Sequence, residues 1–170
     1  MSISLTYTER GEVVEQSTAP SSTAELGGGS QSPWEKTAIM SRGLRNNNPL
    51  NIRKNSTKWQ GLAPVQSDKA FFVFVAPEWG YRAALRTLQS YNRVHGLNTI
   101  REWIERWAPP CENDTEAYIS FVCRKTGMPE SACPRISNKV VMCSIVAAMS
   151  HMENGVPAVM EDVNKGWELL

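Results

Sequence analysis

Histidine is scarce in this chain: the 170 residues contain two, His95 and His151. The four cysteines stand at 111, 123, 133 and 143, form no Cys-x-x-Cys pair, and are not joined by either histidine at a ligand spacing. A structural zinc site is therefore not expected, and no other metal or organic cofactor is implied. No apolar run approaches the roughly 18 residues needed to cross a bilayer, so membrane insertion is not expected. The first ten residues lack a basic stretch followed by an apolar core, so no secretory leader is read there. Free, buried thiols are then expected in preference to disulfides, although four cysteines leave three pairings open. The chain has no internal repeat and no excess of one charge: its net charge is +1, with 21% charged and 41% hydrophobic residues. That composition argues against collagen, coiled coil and wholesale disorder.

The near-neutral total is made of unlike parts. Residues 1–41 hold five acids and two bases, residues 42–109 eleven bases and four acids, and residues 110–170 five bases and eight acids. A middle segment of +7 suits an anionic polymer: nucleic acid, teichoic acid, or peptidoglycan with its peptide carboxylates. No helix-turn-helix, RNA-binding or zinc signature accompanies the charge, so nucleic acid is not the expected partner.

Residues 1–41 read as an acidic tail and linker. The stretch 17–32, STAPSSTAELGGGSQS, has no apolar period and the composition of a flexible tether. Ile3–Tyr7 alternates and could add a strand to a partner. Residues 42–170 read as one α+β domain, predominantly helical. Three short strands are expected at Leu50–Arg53, Lys58–Gly61 and Phe71–Val75. Four to five helices follow. The first opens at Pro77, carries Tyr81, Ala84, Leu85, Leu88 and Tyr91 on one stripe, and ends at Gly96. Thr99 with Glu102 forms a capping box for the second, which Pro109 and Pro110 stop. Asn113 with Glu116 caps the third, which ends at Gly127. Ser137 caps a fourth, apolar on most sides and central, running to about Glu153. A short last helix follows Pro157.

The run Arg42-Gly-Leu-Arg-Asn-Asn-Asn-Pro-Leu-Asn-Ile-Arg53 suits neither helix nor strand. Asparagine tolerates left-handed backbone and bonds nearby peptide groups, so the run builds a rigid loop whose amides can also meet sugar hydroxyls and N-acetyl groups. Further along come Trp59-Gln-Gly61, Asp68 ahead of Phe71, Trp79-Gly-Tyr-Arg-Ala83, Arg106-Trp-Ala-Pro-Pro110 and Glu112-Asn-Asp-Thr115. Together these words resemble a family of phage and prophage proteins, Bacteroidales-type in form, that are virion-associated and lysozyme-like. The resemblance implies a lysozyme-like domain that degrades peptidoglycan. A second likeness points the same way. Bacterial glucosaminidases of the lysozyme superfamily share the order Asn strand, Trp-x-Gly, acid before an aromatic strand, here Asn48–Arg53, Trp59–Gly61 and Asp68. In those enzymes the proton donor ends a helix that precedes the Asn strand. The upstream acids here, Glu25 and Glu35, lie in or beside the linker.

Cutting a glycosidic bond needs a carboxylic acid that keeps its proton near neutral pH, and hydrolases add a second carboxylate. Glu112 follows Trp107-Ala-Pro-Pro-Cys111 and is the first candidate for the acid, Asp68 the second carboxylate, and Glu78 the substitute acid. Trp59, Trp79 and Tyr81 are expected to pack on sugar faces. Arg45, Asn46, Asn47, Asn48 and Arg82 are expected to bond acetamido and lactyl groups. Trp103 and Trp107 belong to the core stripe. The expected activity is that of a lysozyme, lytic transglycosylase or glucosaminidase; the other reading is a non-catalytic virion structural or adhesion protein. With no leader, such a protein would reach the wall in a virion, through a secretion apparatus, or after a holin opens the membrane, the N-terminal tail being the arm expected to engage virion or secretion-apparatus proteins.

Overall fold

The computed structural model describes residues 4–7, 13–16 and 40–170. The linker read at 17–32 lies outside the described residues. Two strands, β1 (Ser4–Tyr7) and β2 (Val13–Gln16), pair antiparallel with Ser4 opposite Gln16. Among the described residues six helices follow: α1 (Arg42–Arg45), α2 (Pro77–Arg93), α3 (Ile100–Trp107), α4 (Thr115–Thr126), α5 (Lys139–Asn154) and α6 (Met160–Glu168).

The three-stranded sheet expected between residues 50 and 75 is not there. Those segments form no strand and meet only in two isolated antiparallel bridges, Arg53 with Phe71 and Leu62 with Phe74. The domain is helical. The physical reason is that side-chain amides take the places of ladder partners. Gln66 accepts from the Val73 N–H at 2.9 Å and donates to the Val73 carbonyl at 2.7 Å, as a neighbouring strand would. Asn48, fully buried, donates to the carbonyls of Ile52 and Phe72 and accepts from the Ile52 N–H. The peptide groups of Ile52, Phe72 and Val73 thus find partners without a repeating ladder.

The helices follow the local rules with small shifts. Thr99 and Glu102 form the reciprocal capping box of α3. The cap of α4 is Asp114, one residue after the expected Asn113, and that of α5 is Asn138, one after Ser137. The first long helix stops at Arg93, ahead of Gly96. A single helical turn, α1, occupies the start of the Asn-rich run, capped by Ser41. Helix α5 is the central element: Met142, Ile145, Val146 and Met149 are buried against Leu85, Leu88, Trp103, Ile104, Ile119 and Val122. A smaller cluster of Phe72, Phe74 and Ala83, with Trp59, Leu62 and Trp79 packed on it, supports the loop region. All four cysteines are unpaired thiols; Cys143 is buried, whereas Cys111 and Cys133 are exposed, unlike the expectation for them. No described helix is long and apolar enough to cross a membrane.

One close approach fixes the Asn-rich loop on α2. A Cβ added at Gly80 would lie 2.4 Å from the Asn47 carbonyl oxygen and 2.7 Å from Pro49 Cδ. Gly80→Ala should therefore lower stability by about 2 kcal/mol, despite the better helix propensity of alanine, because backbone cannot yield as a side chain can. Urea unfolding midpoints check this.

Candidate functional site

The Asn-rich loop is shaped by its own side chains. Asn47 and Asn51 both have φ of 50°, the left-handed region that asparagine tolerates. Asn47 donates to the Phe74 carbonyl at 3.1 Å, and Asn46 donates to Asp68 at 3.0 Å. Asn154, at the end of α5, donates to the Pro49 carbonyl and accepts from the Ser41 hydroxyl, tying the loop to the central helix. This tie brings Asn51 onto Glu153, one residue before it on α5.

Glu153 is the centre of the site. Its Oε2 accepts from Asn51 Nδ2 at 3.0 Å. Its Oε1 accepts from the Tyr118 hydroxyl of α4 at 3.2 Å and, at 3.4 Å, from the indole N–H of Trp107 at the end of α3. Burial pushes this carboxyl above the ordinary glutamate range; the three donors and the charge of Arg53 oppose the shift without cancelling it. Two grooves meet here. One, of about 720 Å³, runs past Arg42, Arg45, Phe71, Phe121, Arg124 and Met152. The other, of about 560 Å³, runs past Arg53, Trp59, Arg86, Tyr91, His95 and Glu112. Both are lined by Asn51, Phe71, Asn113 and Glu153, so the carboxyl stands where they join. Arginine lines both grooves, which draws the basic middle segment of the sequence to this surface.

The acids singled out in the sequence are placed differently. Glu112 lines the second groove but is exposed, and its ion pair to Arg53 at 3.6 Å is exposed too. Asp68 lines neither groove. It accepts a two-pronged bond from Arg42 at 2.6 and 2.8 Å, plus the N–H groups of Ala70 and Phe71, and the Arg42 guanidinium foremost holds its carboxyl far below the usual aspartate range. It is a brace for the loop rather than a partner of Glu153. Glu78 sits in the first turn of α2 and lines neither groove.

The expected sugar-binding residues divide as well. Arg45 lines the first groove and Trp59 the second. Asn46, Asn47 and Asn48 spend their amides on the loop itself. Tyr81 is buried with its hydroxyl 3.0 Å from Ser150, Arg82 donates to the Leu169 carbonyl, and Trp79 packs in the smaller cluster. Trp107, assigned to the core stripe alone, also reaches the site.

Glu112→Gln is therefore expected to keep lytic activity, if the chain has it, within about fivefold of the parent, because an exposed ion pair carries little energy. Turbidity loss of a sacculus suspension measures it.

Sequence reasoning passed over Glu153 because it ends a run of apolar residues. The signal was nonetheless present in the register: Met142, Val146, Met149 and Glu153 fall on one helix face, and a carboxylate on a core stripe demands an explanation.

No protein-family model matches the chain. It is 43% identical over 131 residues to Protein P5 of Pseudoalteromonas phage PM2, an alignment covering 75% of this chain and 80% of that protein. With four residues in ten shared over most of both chains, the protein belongs to the family of phage Protein P5.

Proposed function

We propose that the chain cuts the glycan strands of peptidoglycan by carboxyl general-acid catalysis, with Glu153 as the proton donor. The observation that carries this reading is the placement of the carboxyl: bonded by Trp107 and Tyr118, raised above the ordinary glutamate range by burial, and set where two arginine-lined grooves join. An acid with a raised pKa in an apolar pocket can protonate a leaving glycosidic oxygen near neutral pH. Grooves on both sides of it suit a polymer entering from either direction, and their arginines suit lactyl and stem-peptide carboxylates.

The glucosaminidase likeness supports the same residue. Those enzymes set a helix-ending acid beside an Asn segment. Here Glu153, in the last turn of α5, supplies such an acid to Asn51, but from the C-terminal side of the loop rather than the N-terminal side. Kinship with a phage protein favours delivery in a virion or through a membrane opened during infection.

A zymogram of the full chain on a peptidoglycan gel tests the proposal. A cleared band with wild type and none with Glu153→Gln is the expected result. Mass spectrometry of the released muropeptides then distinguishes an anhydro-muramyl product from a hydrolysed one by a single water. An inactive wild-type chain would leave the virion structural or adhesion role instead.

A further inference from the structure

Tyr118 has one hydroxyl hydrogen and two acceptors within reach. Its hydroxyl lies 3.2 Å from Glu153 Oε1 and 3.5 Å from the carbonyl oxygen of Met149, one helical turn back along α5. The side chain is buried, so the hydrogen goes to one acceptor or the other. The choice depends on what Glu153 carries. A carboxylate is the stronger acceptor and takes it; a neutral carboxylic acid is weaker, and the Met149 carbonyl then competes.

We propose that Tyr118 is a positioning residue that follows the Glu153 proton, turning its hydroxyl from the Met149 carbonyl to Oε1 as that proton passes to the leaving oxygen. The inference rests on the glycan-cutting reading for the identity of the leaving oxygen, and on the geometry of three oxygens for the rotation. The transfer balances. The Glu153 O–H bond breaks as an O–H bond forms on the departing sugar and the bond from that oxygen to the anomeric carbon breaks. The hydrogen returns to Glu153 from whichever hydroxyl, of water or of the sugar itself, closes on that carbon. The phenol keeps its own hydrogen throughout, and burial, which holds Tyr118 well above the ordinary tyrosine range, keeps it a donor.

The other groups bearing on the pair are few. Asn51 and Trp107 donate to the carboxyl, and Arg53 from the loop favours its charged form. Tyr91 of α2 acts on Tyr118. Losing the Tyr118 hydroxyl thus removes one of three hydrogen bonds that stabilise the conjugate base while leaving the others in place.

The test is a carbon-13 titration of the glutamate side-chain carboxyls in the full chain, with the Glu153 signal assigned by its loss in Glu153→Gln. In Tyr118→Phe the Glu153 midpoint should rise by about one pH unit, a tenfold change in its acidity. On sacculi, kcat should fall with KM held, and the alkaline limb of the rate profile should move up with the midpoint. Placing 3,5-difluorotyrosine at position 118, a stronger donor of nearly the same volume, should move the midpoint down. This second substitution covers the case in which phenylalanine perturbs packing. A midpoint unmoved by both changes would overturn the proposal. A wild-type chain that leaves sacculi intact while the midpoint moves as expected would overturn the glycan reading instead, so the two failures are distinct.

Discussion

Glu153→Gln is expected to lower the rate of sacculus lysis about a thousandfold, the ordinary scale of a lost general acid. Glutamine keeps the volume and an oxygen to accept from Asn51, Tyr118 or Trp107, but it has no proton to give. Stability should stay within about 1 kcal/mol of the parent at neutral pH. The pH dependence separates a missing proton from a damaged fold. In the parent the folded carboxyl holds its proton more tightly than the unfolded one. Between the two pKa values the folded state therefore binds more protons, and stability declines as pH rises through that window. The Gln variant lacks this decline. Thermal midpoints of both proteins from about pH 4 upward should converge at the acid end and shift in favour of the variant toward the alkaline end. Full lytic activity in Glu153→Gln would remove Glu153 from the chemistry.

The largest loss of stability is expected at Asp68. Its side chain is 9% exposed and accepts five hydrogen bonds: two from Arg42, one from Asn46, and one each from the N–H groups of Ala70 and Phe71. Asp68→Ala strips the Arg42 guanidinium of this partner and leaves two loop N–H groups unpaired, at a cost of about 3 kcal/mol. The effect is pH-dependent with the opposite sign to that of Glu153. The folded carboxyl stays ionised where the unfolded one is protonated, so its contribution is complete above about pH 4 and is lost as pH falls below that. Urea unfolding at pH 7 and pH 3 measures it: the gap between parent and variant should narrow at the lower pH. A gap of the same size at both would show that the charge is not what holds the loop.

What could be read from the sequence followed the range of the interactions. Caps and helix stripes are local, and Thr99 with Glu102, the Leu85–Leu88 face and the apolar α5 were all visible in it. The strands were not, because Gln66 and Asn48 replace ladder partners with amides that reach across several to two dozen residues, and no pattern of period two records that. The asparagines looked like sugar ligands because an amide serves either purpose; only the contacts with Phe72, Phe74 and Asp68 show that three of them look inward. Glu112 drew attention for its aromatic neighbour in sequence, yet the Trp107 indole reaches 46 residues further along the chain to Glu153. The acid itself was hidden by distance: its Asn51 partner is 102 residues away.

That separation bears on when the protein becomes competent. The loop that orients the carboxyl is made early on the ribosome and the helix that bears it late, so no shorter nascent chain possesses both. A nick anywhere between them leaves the two halves joined only by packing. The site is absent until nearly the whole domain has been synthesised and α5 has docked, and it vanishes again if that one helix is withdrawn.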